Sequence, residues 1–276
     1  MKRTLYFVIC IITLILEGCE PYNPIKINKD KGVGIFSISE TKKVTFSKGN
    51  LQYQASTNTW RFAENQWDWM YISNENIDPE YNGWIDMFGW GTGNNPTNIS
   101  QNNDDYSSFI DWGNNKIGND IPNTWRTLTK AEWDYLIQWR TNADILIGIA
   151  NLNGVDGIII LPDNWECPNE INFKSGFSEE YISSHALYQS FTQKDWTRME
   201  ELGAVFLPNT GGRYQGYFFD EVYKEPFIEA WDRGLYWSST IANHDEAFCC
   251  SFGNRGTNTH SRDRYDGHCV RLVKDL

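Results

Sequence analysis

Gly234-Leu235-Tyr236-Trp237-Ser238-Ser239-Thr240 and Gly267-His268-Cys269-Val270-Arg271-Leu272-Val273 bracket the stretch around which the rest of the chain is arranged. Both ends alternate large apolar with small or polar residues, the period-two pattern of half-buried strands. Between them, Asn243 to Tyr265 is crowded with Asn, His, Asp, Arg, Ser, Thr and Gly. Ala247 to Cys269 contains no Lys, Glu, Gln, Met or Trp, although the chain uses all five elsewhere. Three of the four His and three of the six Cys lie between Asn243 and Cys269, so the segment differs in composition from its frame. A long polar excursion held between two strands is expected to be a binding surface on a rigid scaffold.

The scaffold can be followed from the N-terminal side. Phe36-Ser37-Ile38-Ser39 and Val44-Thr45-Phe46-Ser47 alternate around a polar turn and predict a first hairpin. Leu51 to Tyr53 and Trp60 to Phe62 continue the β pattern. Asp68 to Asp120 is loop-rich, and its Trp-Gly pairs at Trp84, Trp90 and Trp112 are expected to be aromatic plugs against a core. Thr129-Lys130-Ala131-Glu132 has the form of a capping box, followed by Trp133, Leu136 and Ile137 at helical spacing. A second helix is expected from Thr192, with a stripe of Trp196, Met199 and Leu202 and a left-handed stop at Gly203. Two apolar runs, Gly157 to Pro162 and Gly203 to Pro208, each end in Leu-Pro and predict buried strands. Short strands, two helices and long loops with no internal linker predict one α+β domain over residues 35–276.

The first 18 residues are of another kind. Lys2 and Arg3 precede an apolar run from Leu5 to Leu16, a secretory signal too short for a comfortable membrane span. Leu16-Glu17-Gly18-Cys19 resembles a bacterial lipobox, with Glu17 where a small uncharged residue is usual, which makes Cys19 the expected lipidated residue. Residues 19–34, rich in Lys, Asn and Pro, follow as a tether. The formal charge is −12, and removal of Lys2, Arg3 and Glu17 with the signal leaves −13. An acidic export product without a basic stripe is not expected to bind nucleic acid, whose phosphates require Lys and Arg. Export permits disulfides among Cys167, Cys249, Cys250 and Cys269, but their count does not demand them. Adjacent strand residues point to opposite faces, which places Cys250 with Phe248 and Phe252 toward a core and Cys249 with Ser251 outward. No C-x-x-C pair, zinc spacing or EF-hand spacing occurs, so no metal and no cofactor is expected.

Trp125-Arg126-Thr127-Leu128-Thr129-Lys130-Ala131-Glu132-Trp133-Asp134-Tyr135-Leu136 resembles the W-R-L-P-T-x-A-E-W-E-Y signature of the formylglycine-generating, sulfatase-modifying branch of the C-type-lectin-like fold. Gly267 to Val273 resembles the final strand of that branch. The span from Phe36 resembles exported Bacteroidetes lipoproteins carrying the Fibrobacter succinogenes major paralogous domain. Gly49-Asn50-Leu51-Gln52-Tyr53, Leu161-Pro162-Asp163-Asn164-Trp165 and Tyr236-Trp237-Ser238-Ser239-Thr240 carry that likeness. The resemblance implies a C-type-lectin-like domain on a lipid-anchored protein of the outer membrane, displayed at the cell surface.

It does not imply the enzyme chemistry. The formylglycine-generating enzymes use two cysteines several residues apart, whereas Cys249 and Cys250 are adjacent, and only His185 lies outside the C-terminal segment to build a histidine triad. The calcium-site motifs of sugar-binding lectins are also interrupted, at Glu166-Cys167-Pro168-Asn169 and Trp231-Asp232. The chain is therefore expected to bind without catalysis. The same fold is the receptor scaffold of diversity-generating retroelements, which mutate adenines near the 3′ end of a target gene. Change at both adenines of an AAC codon gives residues such as Asn, His, Asp, Tyr, Ser, Thr, Arg, Gly, Cys and Phe, and never Lys, Gln, Glu, Met or Trp. Ala247 to Cys269 resembles that set. The expected contact residues for an extracellular protein or glycan are Asn243, His244, Asp245, Cys249, Ser251, Asn254, Arg255, Asn258, His260, Arg262, Asp263 and Tyr265. The alternative is glycan binding by exposed Trp or Tyr, with Trp84 and Trp90 as candidates.

Overall fold

The computed structural model describes residues 34–75, 77–177, 188–214, 227–229, 233–253 and 255–276. The signal, Cys19, nearly all of the tether, Asn254, His185 and Trp231-Asp232 lie outside the described residues. The described residues belong to one compact unit.

Alternation places Phe36, Val44 and Phe46 inward in the first hairpin, where β1 (Phe36–Ser37) pairs antiparallel with β2 (Lys43–Phe46). β3 (Leu51–Gln54) lies between β4 (Thr59–Phe62) and β5 (Trp84–Ile85). The loop-rich stretch that follows is held by buried aromatics. Trp90 and Trp112 are both buried, with Phe109 tilted against one ring and edge-on to the other.

Helix α1 (Lys130–Asp134) starts on the expected capping box: the Glu132 amide donates to Thr129 Oγ1, and Glu132 Oε2 accepts the Thr129 amide. Glu132 also takes both terminal nitrogens of Arg126, whose Nε and Nη2 reach Asp275. That arrangement ties the helix to the chain's end. The helix widens into a π turn, Tyr135–Trp139, in which Leu136 and Ile137 stay buried beside Trp133. β6 (Ile147–Leu152) and β7 (Val155–Ile160) form a hairpin, and β8 (Gln189–Ser190) joins β6 in parallel. Helix α2 (Gln193–Glu201) buries Trp196 and Met199, but Leu202 is 48% exposed and leaves the expected stripe. Gly203 turns the chain at φ +89°, where a glycine costs nothing. β9 (Val205–Pro208) then pairs antiparallel with β7, so the two Leu-Pro runs are neighbours in one sheet.

β10 (Gly212–Tyr214) pairs with β11 (Phe227–Glu229). β12 (Arg233–Ile241), β13 (Glu246–Gly253) and β14 (Gly256–Asp263) form an antiparallel sheet in sequence order. The polar excursion is therefore regular structure, because every β13 residue from Glu246 to Gly253 finds a cross-strand partner on β14. The expected closing strand is corrected as well. Gly267 to Leu272 bridges several elements in turn, with Cys269 receiving the Trp237 amide, Val270 the Leu51 amide and Leu272 the Ser47 amide. Only β15 (Val273–Asp275) forms a regular ladder, antiparallel to β2, which joins the two ends of the folded part. Among the described residues the architecture is α+β, dominated by short strands, with two α-helices.

The C-terminal sheet sits between two hydrophobic clusters. Leu235, Trp237, Ala247 and Cys249 point into one with Phe88, Trp90 and Trp112. Tyr236, Cys250 and Phe252 point into the other with Trp133 and Ile137. Burial on both faces makes β12 and β13 a fixed frame for the strand beyond them.

Candidate functional site

β14 reads Gly-Thr-Asn-Thr-His-Ser-Arg-Asp, and none of its eight residues is buried. Pairing with β13 sorts its side chains by face. Asn258, His260 and Arg262 stand opposite Ser251, Cys249 and Ala247, while Thr259, Ser261 and Asp263 stand opposite Cys250, Phe248 and Glu246. The second set is tied down: Thr259 Oγ1 donates to Asp134 at 2.6 Å and Ser261 Oγ to Glu246 at 3.0 Å. Asn258 is exposed, and His260 and Arg262 are half-buried.

Cys249 and Ser251 were expected on the outer face, and the structure corrects both. Cys249 is fully buried and Ser251 is 9% exposed, because β13 is the central strand and the loop aromatics cover its second face. Asn243, His244, Asp245 and Arg255 are exposed, and Asp263 and Tyr265 are half-buried. The Tyr265 hydroxyl donates to Asp263 at 3.0 Å. Asn254 lies outside the described residues. Apart from Cys249 and Ser251 on β13, the described members of the expected set divide between the two faces of β14 and the neighbouring turns.

Arg264, absent from the expected set, fastens one of those turns. Its Nη1 donates to the Tyr106 carbonyl at 2.8 Å, its Nη2 to the His244 carbonyl, and its amide to the Asp245 carbonyl. At the surface, His244 bridges Asp245 (2.9 Å) and Asp104 (3.3 Å). The His244 hydrogen bond holds the Asp245 carboxyl below the usual carboxylate range. Asp104 thus joins the face from a distant loop, and no local pattern marks it.

Cys249 Sγ lies 3.9 Å from His260 Nε2, a contact that invites comparison with a nucleophilic pair. Its electrostatics run the other way. Burial pushes the Cys249 thiol up to about 12, and burial with Arg262 and Arg233 nearby pushes His260 down to about 4. At neutral pH both groups are uncharged, whereas an activated cysteine requires a thiolate beside a cation. Among the described residues no cluster of three or more His, Cys, Asp or Glu is placed to hold a metal, and Cys167, Cys249, Cys250 and Cys269 are free thiols.

Asp266, 5% exposed, has its carboxyl pushed up to about 8 by burial and by Asp263, against the pull of Arg262 and Arg213. A folded-state value above the ordinary 3.8 means that the native state favours the protonated acid. Its contribution to stability is complete below 3.8 and is lost as pH rises through about 8. Asp266→Asn, a mimic of the neutral acid, should come closest to wild type near pH 4 and exceed it increasingly as pH rises, by several degrees in Tm near pH 9. Thermal melts across that range check this. A variant that instead falls behind wild type as pH rises would show an ionised Asp266 paired with arginine.

Of the aromatics proposed for sugars, Trp90 is 3% exposed with its Nε1 donating to the Ser238 carbonyl, and Trp84 lies 3.8 Å beneath the Arg61 guanidinium. Trp90 therefore offers no free ring face, whereas Arg61 covers one face of the half-buried Trp84. A cavity of about 920 Å³ elsewhere has Phe62 and Trp125 in its wall, with Arg61, Asn119 and Asp120 among its polar groups. No protein-family model matches the chain, and no curated protein or solved structure matches it.

Proposed function

We propose that this chain is a non-enzymatic ligand-binding domain of the C-type-lectin-like class, with its contact face centred on β14. One observation carries the reading: a wholly polar strand without a single buried residue is hydrogen-bonded along its length to a strand buried on both sides. Such a strand can change its side chains without disturbing the core, while its backbone keeps them at fixed spacing. Asn258, His260 and Arg262 form the centre, with Arg255 at the hairpin turn and Asn243, His244 and Asp245 at the far end. Short strands, two helices and long loops support the C-type-lectin-like assignment. The residue set of Ala247 to Cys269 supports diversification by a retroelement. The signal-like start, Cys19 and the tether support a lipid-anchored protein of the outer membrane, facing an extracellular protein or glycan.

Sequencing the DNA downstream of the gene tests the diversification. A near-copy of the segment for residues 243–269, differing only where the copy has adenine, is the expected result. Without that copy the ligand is fixed rather than varied. Glycan recognition is the second reading, favoured by the cavity beside Trp125. A glycan array separates the two: binding lost in Trp125→Ala and kept in Arg262→Ala assigns the cavity, and the reverse assigns β14.

A further inference from the structure

Beside β14 lies a group of basic side chains with buried nitrogens that no described residue hydrogen-bonds. Arg213, on β10, is 1% exposed, and its Nε, Nη1 and Nη2 all lack a hydrogen-bond partner among the described residues. Its position is not loose. The Arg213 amide donates to the Gly267 carbonyl at 2.8 Å, and the Gly267 amide returns a bond of 2.7 Å. His268 is fully buried, its ring centroid 4.4 Å from that of Trp237, and both of its ring nitrogens are likewise unpartnered. Arg262 approaches from β14 with its Nε buried and unpartnered.

Two glycines open the space these groups occupy. A Cβ on Gly267 would come within 2.8 Å of Arg213 Nε, and one on Gly212 within 2.9 Å of His268 Nδ1. Arg262, His260 and Arg213 all act on His268 electrostatically, so the four basic groups share one field. Among the described residues, Tyr106 and Asp266 act on Arg213. Asp266 is held mainly in its neutral form by burial, so it does not supply the missing negative charge at neutral pH. A buried guanidinium with no acceptor is costly, and native proteins rarely leave one so.

We propose that Arg213, Arg262 and His268 form a binding site for a small oxyanion, received between the Arg213 guanidinium and the His268 ring. The guanidinium offers paired N–H groups that match two oxygens of a carboxylate or phosphate. Neutral His268 offers one ring N–H, and Arg262 adds charge from the strand side. The protonated Asp266 carboxyl is a further donor rather than a repelling charge. This site goes beyond the β14 contact face: its principal groups are buried, and it stands whether or not that face has a partner.

The test is thermal unfolding of the full chain in a zwitterionic buffer near pH 7, with acetate or phosphate replacing chloride at constant ionic strength. Wild type should gain on the order of 5 °C in Tm at saturating anion. A response to acetate alone assigns a carboxylate, and a response to phosphate alone assigns a phosphate. Arg213→Met, which fills the same space without charge, should melt at or above the wild-type chloride value and respond to neither anion. If that variant does not fold, Arg213→Lys keeps the charge, loses the fork, and should shift the response midpoint by about tenfold. A wild-type Tm identical in all three salts would overturn the proposal. So would an Arg213 variant that responds as wild type does.

Discussion

Alanine at Asn258, His260 and Arg262 together is expected to weaken ligand binding by about 30-fold or more, with Tm within a few degrees of wild type. The three side chains occupy one face of β14 at alternate positions, and none is buried. Arginine is among the residues that dominate binding energy, while Asn and His supply adaptable hydrogen bonds. The fold loses little, because β14 keeps its backbone ladder to β13 and the Thr259 and Ser261 bonds on its other face. The measurement is a titration of immobilised wild-type and variant domains with the ligand selected on the array, beside melts of the same samples. Unchanged affinity would remove β14 from the contact face. A collapse in Tm would make the strand part of the core.

Trp237→Ala, two strands inward on β12, is expected to do the opposite: a loss of about 3–5 kcal/mol in stability, or on the order of 10 °C in Tm. Trp237 is 1% exposed, packs against His268 and donates its Nε1 hydrogen to the Phe88 carbonyl at 2.7 Å. That carbonyl keeps the His268 amide at 3.1 Å, so the cost is chiefly the cavity rather than an orphaned acceptor. At temperatures where the variant stays folded, its affinity should fall far less than that of the triple variant. Denaturant unfolding gives the first quantity and the same titration the second. A stability loss below about 1 kcal/mol would mean that the two clusters repack around the gap.

Local chemistry was readable from the sequence wherever neighbours along the chain settle it. The Thr129-Glu132 capping box, the hairpin at Phe36–Phe46, the α2 cap at Thr192 and the Gly203 turn stand where residue types and spacing place them. So does the contrast between an apolar β12 and the polar segment after it. The α+β class follows from these together. Burial of a second face is another matter, since period-two alternation speaks only for one side of one strand. Cys249 and Ser251 alternate with the core residues of β13 and were expected outside. They are inside because Phe88, Trp90 and Trp112, far away in the chain, close over them. Arg213 carries no local signal at all. Its burial involves Gly267, more than fifty residues onward, against its side chain, and His268 against the neighbouring Gly212. Sequence alone determined the helix caps, the first hairpin and the division into apolar and polar segments, because those choices rest on local hydrogen bonding and spacing. The strand character of β14 and the irregular path of Gly267 to Leu272 depend instead on pairing with other segments. Only the tertiary structure decided which polar groups are exposed and which are stranded, because desolvation depends on everything that packs around an atom.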